Sequence, residues 1–452
     1  MTQQEVRWTA EQVLALAPDA VSRKAGSKLG TAGPWSGTGS SREGTVWGLC
    51  RGGGGTSYRT VVDTTNTPGA SGPAYDCTCP SRKFPCKHAL GLLLLWTAGE
   101  TAVPAGRAPD WAAKWIAGRR GDSRENGQVS AAGSGTVSAD PEAARRRAER
   151  RAERITVGAT ELEQRLADLL RSGLAAAEQA GYGLWEETAA RMVDAQAPGL
   201  AARVRELGAI PGSGPDWPVR LLEECALLHL LDQGWLHRER LPQPLAATVR
   251  TRVGLTAPPA GPPVRDHWLV LAQYDTPDPK LTTRRIWLHG TASGRTSLVL
   301  SYGAAGRAPD LALPVGLALD AVLSAYPGAG QRRAALGEQF APPAPTTARP
   351  PGMTTTEAAA RYGEALRDDP WLESVPVTLD DVIPTPDGTS WQLADADGDT
   401  ALPLTPTAAR PGLWRLVALS GGTPVKVFGE CGHRGFTPLT AWPSGEGAAV
   451  RL

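Results

Sequence analysis

The spacing of apolar residues divides the chain into a mixed N-terminal part, a helical middle and a β-rich C-terminal part. Close to the N-terminus, apolar side chains between Val13 and Val21 recur on one side of a helical period. Thr9 and Gln12 have the spacing of a capping box. The pattern therefore predicts a helix over Thr9–Arg23.

A short apolar helix follows two strand-like runs. Thr45–Leu49 and Tyr58–Asp63 have the composition of strands, and His88–Thr97 is apolar on every face of a helix. A helix with that pattern is buried on several sides. We therefore expect the small module formed by these strands and this helix to pack against the Thr9–Arg23 helix or against the tryptophan-bearing segment Trp111–Trp115.

The middle of the chain opens with a segment of low complexity. Residues 117–140 are rich in Gly, Ser and Ala, which is typical of a flexible linker. Arg145–Arg154 then carries six Arg and two Glu. This run could bind phosphates, or it could be a solvated helix with Arg–Glu pairs. The interleaved Glu residues favour the solvated helix.

Residues 156–255 have a helical period throughout. Leucines from Leu162 to Leu174 recur on one face, and proline recurs in the first turn of the later helices, where its fixed φ is tolerated. Further helices are predicted at Leu184–Gln196, Pro198–Leu207, Pro218–Gln233 and Pro242–Val253.

From about residue 265 the apolar period changes to two, which indicates strands. A helix is predicted over Glu357–Asp368, and Leu311–Val322 is predicted to combine a strand with a short helix. Asp395–Asp399 has the look of a calcium loop but lacks the glutamate that such a loop needs, so a hairpin turn is the better interpretation. Strands are predicted at His267–Tyr274, Arg285–His289, Thr296–Tyr302, Ser390–Ala394, Trp414–Ser420 and Pro424–Gly429.

The sharpest chemical signal is a cluster of three thiols and one imidazole. Cys77, Cys79, Cys86 and His88 lie within twelve residues and form a complete ligand set for one tetrahedral Zn²⁺. The first two alternate on a strand-like segment, so their sulfurs can share a face. Cys86 should lie at or before the first position of the apolar helix, with His88 in its first turn.

Two other interpretations of the cysteines are weaker. A disulfide between Cys77 and Cys79 would close a very small ring, and disulfides are rare in a cytosolic protein. The cysteines could instead be three buried free thiols. Their spacing relative to the histidine would then be a coincidence. Because all four positions are filled by protein, the zinc site is expected to be structural and closed.

The pattern Cys77-x-Cys79-x6-Cys86-x-His88 resembles the SWIM zinc finger, and the flanking residues are similar to those of bacterial members. The resemblance covers about residues 40–100. It implies a small β-β-α unit around one zinc and a role in binding DNA or protein. It also implies that the chain partners a MoxR-type AAA+ ATPase or a von Willebrand type A protein.

Charge adds a second possibility for the same module. The whole chain has a net charge of +1, but residues 1–120 hold 14 Lys and Arg against 8 Asp and Glu. Arg82, Lys83 and Lys87 lie beside the predicted ligands and could contact phosphates. The N-terminus is polar, and the most apolar stretch is too short to span a bilayer, so a cytoplasmic protein is expected.

These observations predict a multidomain α+β protein. The expected units are an N-terminal domain over 1–116, a linker over 117–156, a helical domain over 157–256 and an α+β domain over 257–452. The leading hypothesis is a non-enzymatic adaptor with one structural zinc and a protein partner. A nucleic-acid-binding protein is the first alternative, and an enzyme with its active site in the C-terminal domain is the second.

Overall fold

The computed structural model describes residues 7–41, 44–52, 55–64, 73–81, 83, 85–118, 141–277, 281–304, 309, 311–328, 332–406, 410–445 and 447–452. Most of the predicted linker lies outside these ranges, as does Arg82. The fold is α+β and multidomain, as predicted, with three antiparallel sheets and a bundle of helices. No helix in the described ranges is long and apolar enough to cross a membrane.

The first two helices are α1 (Ala10–Leu14) and α2 (Ala20–Lys28). The prediction of one continuous helix over Thr9–Arg23 is wrong because Pro18 has no N–H to donate and disfavours helical geometry at the residue before it. Asp19 then caps α2 by accepting from the Ser22 N–H at 2.6 Å. The capping box of Thr9 and Gln12 is confirmed.

The first sheet is a four-stranded meander with a helix on each face. Helix α3 (Lys87–Thr97) covers one face together with α1 and α2. Helix α4 (110–118) covers the other face through Trp111 and Trp115. Both expected packing partners of the module are therefore present. The strands are β1 (Trp35–Ser40), β2 (Thr45–Arg51), β3 (Ser57–Asp63) and β4 (Ala74–Cys77).

Five helices form the middle of the protein around their own core. The prediction of helices throughout this part is confirmed. The Arg-rich run is the exposed first half of the first of these helices, and ion pairs such as Arg145–Glu149 at 2.9 Å support the solvated-helix interpretation. The helices are α5 (Pro141–Ser172), α6 (Ala175–Asp194), α7 (Pro198–Gly208), α8 (Trp217–Leu236) and α9 (Gln243–Arg252), with a 3-10 turn at Arg238–Arg240.

The second sheet has the strand order β10-β8-β5-β6-β7, with β9 also paired to β8. Its long central strands follow the predicted period of two. The strands are β5 (Val264–Pro277), β6 (Leu281–Gly290), β7 (Thr296–Ala304), β8 (Leu317–Ala325), β9 (Ala334–Gln339) and β10 (Ala344–Pro345).

The third sheet has the order β13-β12-β11-β14-β15-β16 and packs against α10 (Thr355–Asp368) and α11 (Arg410–Ser420). The predicted strand at Trp414–Ser420 is wrong. Leu413, Leu416 and Leu419 recur every three residues and face the sheet as a helix. The strands are β11 (Ser374–Asp387), β12 (Ser390–Asp395), β13 (Ala401–Pro403), β14 (Val425–Gly432), β15 (Gly435–Trp442) and β16 (Val450–Arg451).

The segment that has the look of a calcium loop forms the turn between β12 and β13, as the hairpin interpretation predicted. The carboxylate of Asp395 accepts from the Thr355 N–H at 3.0 Å and from the hydroxyls of Thr355 and Thr400 at 2.8 and 2.6 Å. Asp395 therefore ties the hairpin to the start of α10.

The second sheet is buried on both faces. Trp268 and Val270 of β5 join the core of the first sheet and α3. The alternate residues, Leu269 and Leu271, pack with Phe428 and Trp442 of the third sheet. Because successive side chains of a strand point to opposite faces, one strand links both layers. The predicted 1–116 and 257–452 units thus share one core, although a linker and a helical bundle separate them in sequence.

A buried ion pair joins the helical bundle to the third sheet. Arg252 of α9 donates to both oxygens of Asp369 at 2.8 and 2.7 Å, and Asp369 is fully buried. Trp371 follows it into the bundle core and donates its indole N–H to the Leu227 carbonyl at 2.8 Å. The bundle is therefore held to the third sheet by specific polar contacts.

Replacing Arg252 by Met is expected to lower the free energy of unfolding by about 3–5 kcal/mol, because the Asp369 carboxylate would stay buried without a cation. The matched control is Arg265→Met. Arg265 forms the same two-bond pair with Asp320, but it lies on the surface. Loss of this exposed ion pair should lower the free energy of unfolding by much less. Urea unfolding measures both, and equal losses would contradict the assigned role of Arg252.

Candidate metal centre

Two elements bring the predicted ligands together. Cys77 is the last residue of β4, where it pairs with Thr60 of β3, and Cys79 follows two residues later. Cys86 is the N-cap of α3, and His88 lies in the first turn of that helix. The predicted placement of Cys86 and His88 is therefore confirmed. The strand end and the helix start face each other across the turn between them.

The geometry fits one tetrahedral metal. The ligand atoms of Cys77, Cys79, Cys86 and His88 all lie within 4.8 Å of one another. The distance from Cys77 Sγ to His88 Nδ1 is 3.7 Å. Tetrahedral zinc with ordinary Zn–S and Zn–N bonds requires about 3.6 Å between such atoms. The Cys77–His88 pair therefore has the separation that a zinc ion requires, and the other two ligand atoms lie close enough to complete the set.

Hydrogen bonds make one sulfur in the cluster anionic. The Cys86 thiol donates to Cys77, and His88 and the Thr60 hydroxyl at 3.3 Å also favour the anion, so the pKa of Cys77 is lowered to about 3. The same shared proton raises the pKa of Cys86, and burial raises the pKa of Cys79. Metal binding therefore displaces protons from thiols that otherwise hold them.

Neighbouring side chains orient the ligands. The ring of Tyr58 stacks on His88 with 5.0 Å between centroids and 34° between planes. The Ala89 N–H at the helix start points to Cys86 Sγ at 3.5 Å. Sequence reasoning did not identify Tyr58 or Thr60 as supporting residues. Their spacing of two on a strand was the available signal. It places both side chains on the face of β3 that α3 covers, beside Cys77 of the neighbouring strand.

The structure describes two of the three predicted phosphate contacts, Lys83 and Lys87. Lys83 donates to Asp19 of α2 at 2.6 Å, and this hydrogen bond helps lower the pKa of Asp19 to about 2. Lys87 is exposed in the first turn of α3. The position of Arg82 falls outside the described residues. One of the three side chains is thus already paired within the protein.

The three remaining cysteines do not belong to the ligand set. Cys50 is buried on β2, and burial together with the negative charge of Cys77 raises its pKa. Cys225 is buried in the helical bundle and Cys431 in the third sheet. Within the described ranges, no other group of His, Cys, Asp and Glu side chains has the spacing of a metal site.

Comparison with known protein families agrees with this geometry. The SWIM zinc finger matches residues 58–96, which include all four ligands. The chain contains a SWIM zinc finger. A second match, the SWIM-associated four-helix bundle domain, covers residues 150–253. No curated protein and no solved structure matches the chain.

The two matched regions correspond to separate structural units. The SWIM zinc finger comprises β3, β4 and α3, which is the β-β-α unit that the resemblance implied. Its Cys77, Cys79, Cys86 and His88 are positioned to bind one zinc ion. The four-helix bundle domain corresponds to most of α5 and to α6–α9. Because the protein supplies all four ligands, the zinc has the environment of a structural site.

Proposed function

We propose that the protein is a non-enzymatic adaptor whose SWIM zinc finger is a structural element and whose helical bundle binds a protein partner. The closed four-ligand site carries this proposal, since it leaves no position at which a metal-bound water could act. The zinc instead fixes the start of α3, whose apolar side chains form the core shared with the second sheet. The zinc therefore has a structural role, because it stabilises the fold around α3 and the second sheet.

An exposed apolar face on α8 supports a protein partner. Val219, Leu222 and Leu230 have exposed fractions of 60%, 48% and 44%, and Ala226 between them is also exposed. Their spacing places the four side chains on one side of the helix. Apolar side chains grouped in this way on a surface are typical of a protein-binding site. We call these four residues the α8 face.

The partner that the sequence resemblance implies is a MoxR-type AAA+ ATPase or a von Willebrand type A protein, and we propose one of these as the occupant of the α8 face. A nucleic-acid-binding role is the second candidate. The observation in its favour is that Lys87 and Arg59 are exposed beside the ligands, with the Arg59 N–H bonded to the Thr78 hydroxyl at 3.0 Å.

Binding measurements with two variants separate the candidates. Purified MoxR-type ATPase and von Willebrand type A protein from the same genome are titrated against the chain. Leu222→Glu with Leu230→Glu is expected to weaken binding of one of them more than tenfold, since a central apolar contact is replaced by charge. Replacing Arg82, Lys83 and Lys87 by Ala should leave that binding unchanged.

The same variants are titrated with duplex DNA and single-stranded RNA at two salt concentrations. Tight binding that weakens steeply with salt and is lost in the Arg82, Lys83 and Lys87 variant would favour the nucleic-acid role and contradict the adaptor. Failure of both ATPase and von Willebrand type A protein to bind would contradict the proposed partners.

A further inference from the structure

A cavity of about 450 Å³ lies where the helical bundle meets the second sheet. Its walls come from the last turns of α9, from the connector 256–259, from Tyr302 of β7, and from residues 326–328 and Arg333, which lie between β8 and β9. A volume of this size accommodates a small organic molecule. The cavity lies on different elements from the zinc site and from the α8 face.

Arg333 provides a positive charge in this cavity that no described carboxylate balances with an ion pair. Among the described residues that line the cavity, it is the one charged side chain. Arg333 is partly buried and forms no ion pair within the described part of the chain, and its Nε has no hydrogen-bond partner there. Two arginines on the same sheet are paired, Arg265 with Asp320 and Arg284 with Asp275.

The residue before Arg333 is a second arginine, which lies outside the cavity lining. Arg332 is also partly buried, and burial together with repulsion from Arg361 lowers the pKa of its guanidinium. Its φ of 49° lies in the left-handed region, which is unfavourable for a residue with a side chain. Strained backbone of this kind clusters at ligand sites. The chain thus holds two successive arginines in a half-buried position at an energetic cost.

The remaining walls favour a flat apolar group. Pro258, Pro259 and Pro327 present rigid rings, and Tyr302 and Tyr326 contribute aromatic rings. The Arg333 guanidinium lies over the Tyr326 ring at 4.9 Å from its centroid, which fixes the plane of the cation. A planar guanidinium held in this way is suited to a carboxylate or a phosphate.

We propose that this cavity binds a small molecule in which a carboxylate or phosphate is attached to a flat ring, with the anion on Arg333 and the ring between the prolines and tyrosines. The ligand would contact both α9 and the second sheet. Its binding therefore stabilises the junction of the SWIM-associated bundle with the rest of the protein. This site does not depend on the adaptor role proposed above.

Titration calorimetry with four simple probes tests the chemistry. Benzoate and phenyl phosphate are each compared with neutral benzamide and with inorganic phosphate, using the full chain. We expect saturable binding of at least one ring-bearing anion at concentrations up to about 10 mM, at least tenfold weaker binding of benzamide, and weaker binding of inorganic phosphate. Whichever of benzoate and phenyl phosphate binds more tightly shows whether the site prefers a carboxylate or a phosphate. Equal binding of benzamide, or no binding of any probe, overturns the proposal.

Three variants locate the site. Arg333→Met is expected to weaken binding of the preferred anion at least tenfold. Arg295→Met is the matched control, because Arg295 is exposed on the turn between β6 and β7 and away from the cavity lining, and it should bind as the unmodified chain does. Ala257→Trp places a large ring in the cavity from an exposed lining position and should abolish binding without removing any charge.

Melting curves by circular dichroism show whether each variant is folded. If Arg333→Met fails to fold, the result for Ala257→Trp decides the question alone. Unchanged binding in Ala257→Trp, or unchanged binding in a folded Arg333→Met variant, places the bound anion elsewhere and overturns the proposal.

Discussion

Replacing Cys86 by Ser is expected to remove the zinc and to unfold the first sheet with α3. Structural zinc contributes about 10–16 kcal/mol in isolated zinc fingers, which is as large as the whole stability of a typical domain. Cys86 is also the N-cap of α3, and Ser is a favoured N-cap residue, so the substitution removes the metal ligand while it keeps the cap. Because α3 shares a core with Trp268 and Val270, the second sheet should lose protection as well.

Hydrogen exchange measures this effect strand by strand. Amides of β2, β3, β5 and β8 are expected to exchange faster in the Cys86→Ser variant, while those of α7 and α8 keep their protection because the bundle has a separate core. Cys225→Ala is the control, since it removes a buried thiol from that bundle and should leave the zinc in place. Unchanged protection of β5 and β8 after zinc loss would contradict the shared core.

Stability is expected to fall as the pH rises from about 4 towards 9 because of one carboxyl group in the bundle. Asp232 of α8 is fully buried, and no N–H or other donor within the described structure bonds to either of its oxygens. Burial, and then repulsion from Glu163, raises the pKa of Asp232 to about 9. Glu163 itself accepts hydrogen bonds from His229 at 2.7 Å and from Gln233 at 2.8 Å.

The direction of the pH dependence follows from the number of protons that the folded and unfolded chains bind. The folded chain keeps the Asp232 proton up to about pH 9, whereas the unfolded chain loses it near the ordinary value of 3.8. The folded state therefore binds one more proton between these values, and its stabilising effect disappears as the pH rises. Five pH units at about 1.4 kcal/mol each set an upper bound of about 7 kcal/mol.

Urea unfolding of the Asp232→Asn variant isolates this contribution. Asn cannot ionise, and its amide can donate to Glu163, so the variant should gain stability relative to the unmodified chain as the pH rises from 5 to 9. Asp168→Asn, at an exposed position on α5, should show no such trend. Parallel pH profiles for the Asp232→Asn variant and the unmodified chain would show that Asp232 does not retain its proton.

The metal site was predictable because its information is local. Four ligands within twelve residues specify the strand end, the turn and the helix N-terminus together, and Cys86 occupies the predicted cap. The helices of the bundle were predictable for a related reason, since their apolar period continues over many turns. Errors occurred where the signal was short. Pro18 interrupts the first helix, and Trp414–Ser420 is too brief for its period to distinguish a helix from a strand.

The contacts between distant parts of the chain could not be predicted from the sequence. Nothing near Leu90 indicates that it shares a core with Trp268, because such packing depends on how the chain returns after the bundle. Likewise, Arg252 and Asp369 are 117 positions apart. From the sequence, Arg333 is indistinguishable from an ordinary surface arginine. The fold places it in a cavity whose described lining contains no carboxylate.

Zinc content is the most direct test of the central claim that Cys77, Cys79, Cys86 and His88 form one structural zinc site. Inductively coupled plasma mass spectrometry of gently purified protein should find one zinc per chain, as the four-ligand geometry requires. A variant with Cys77 and Cys79 both replaced by Ser should contain none. Protein without zinc, or full retention of zinc in the double variant, would contradict the account.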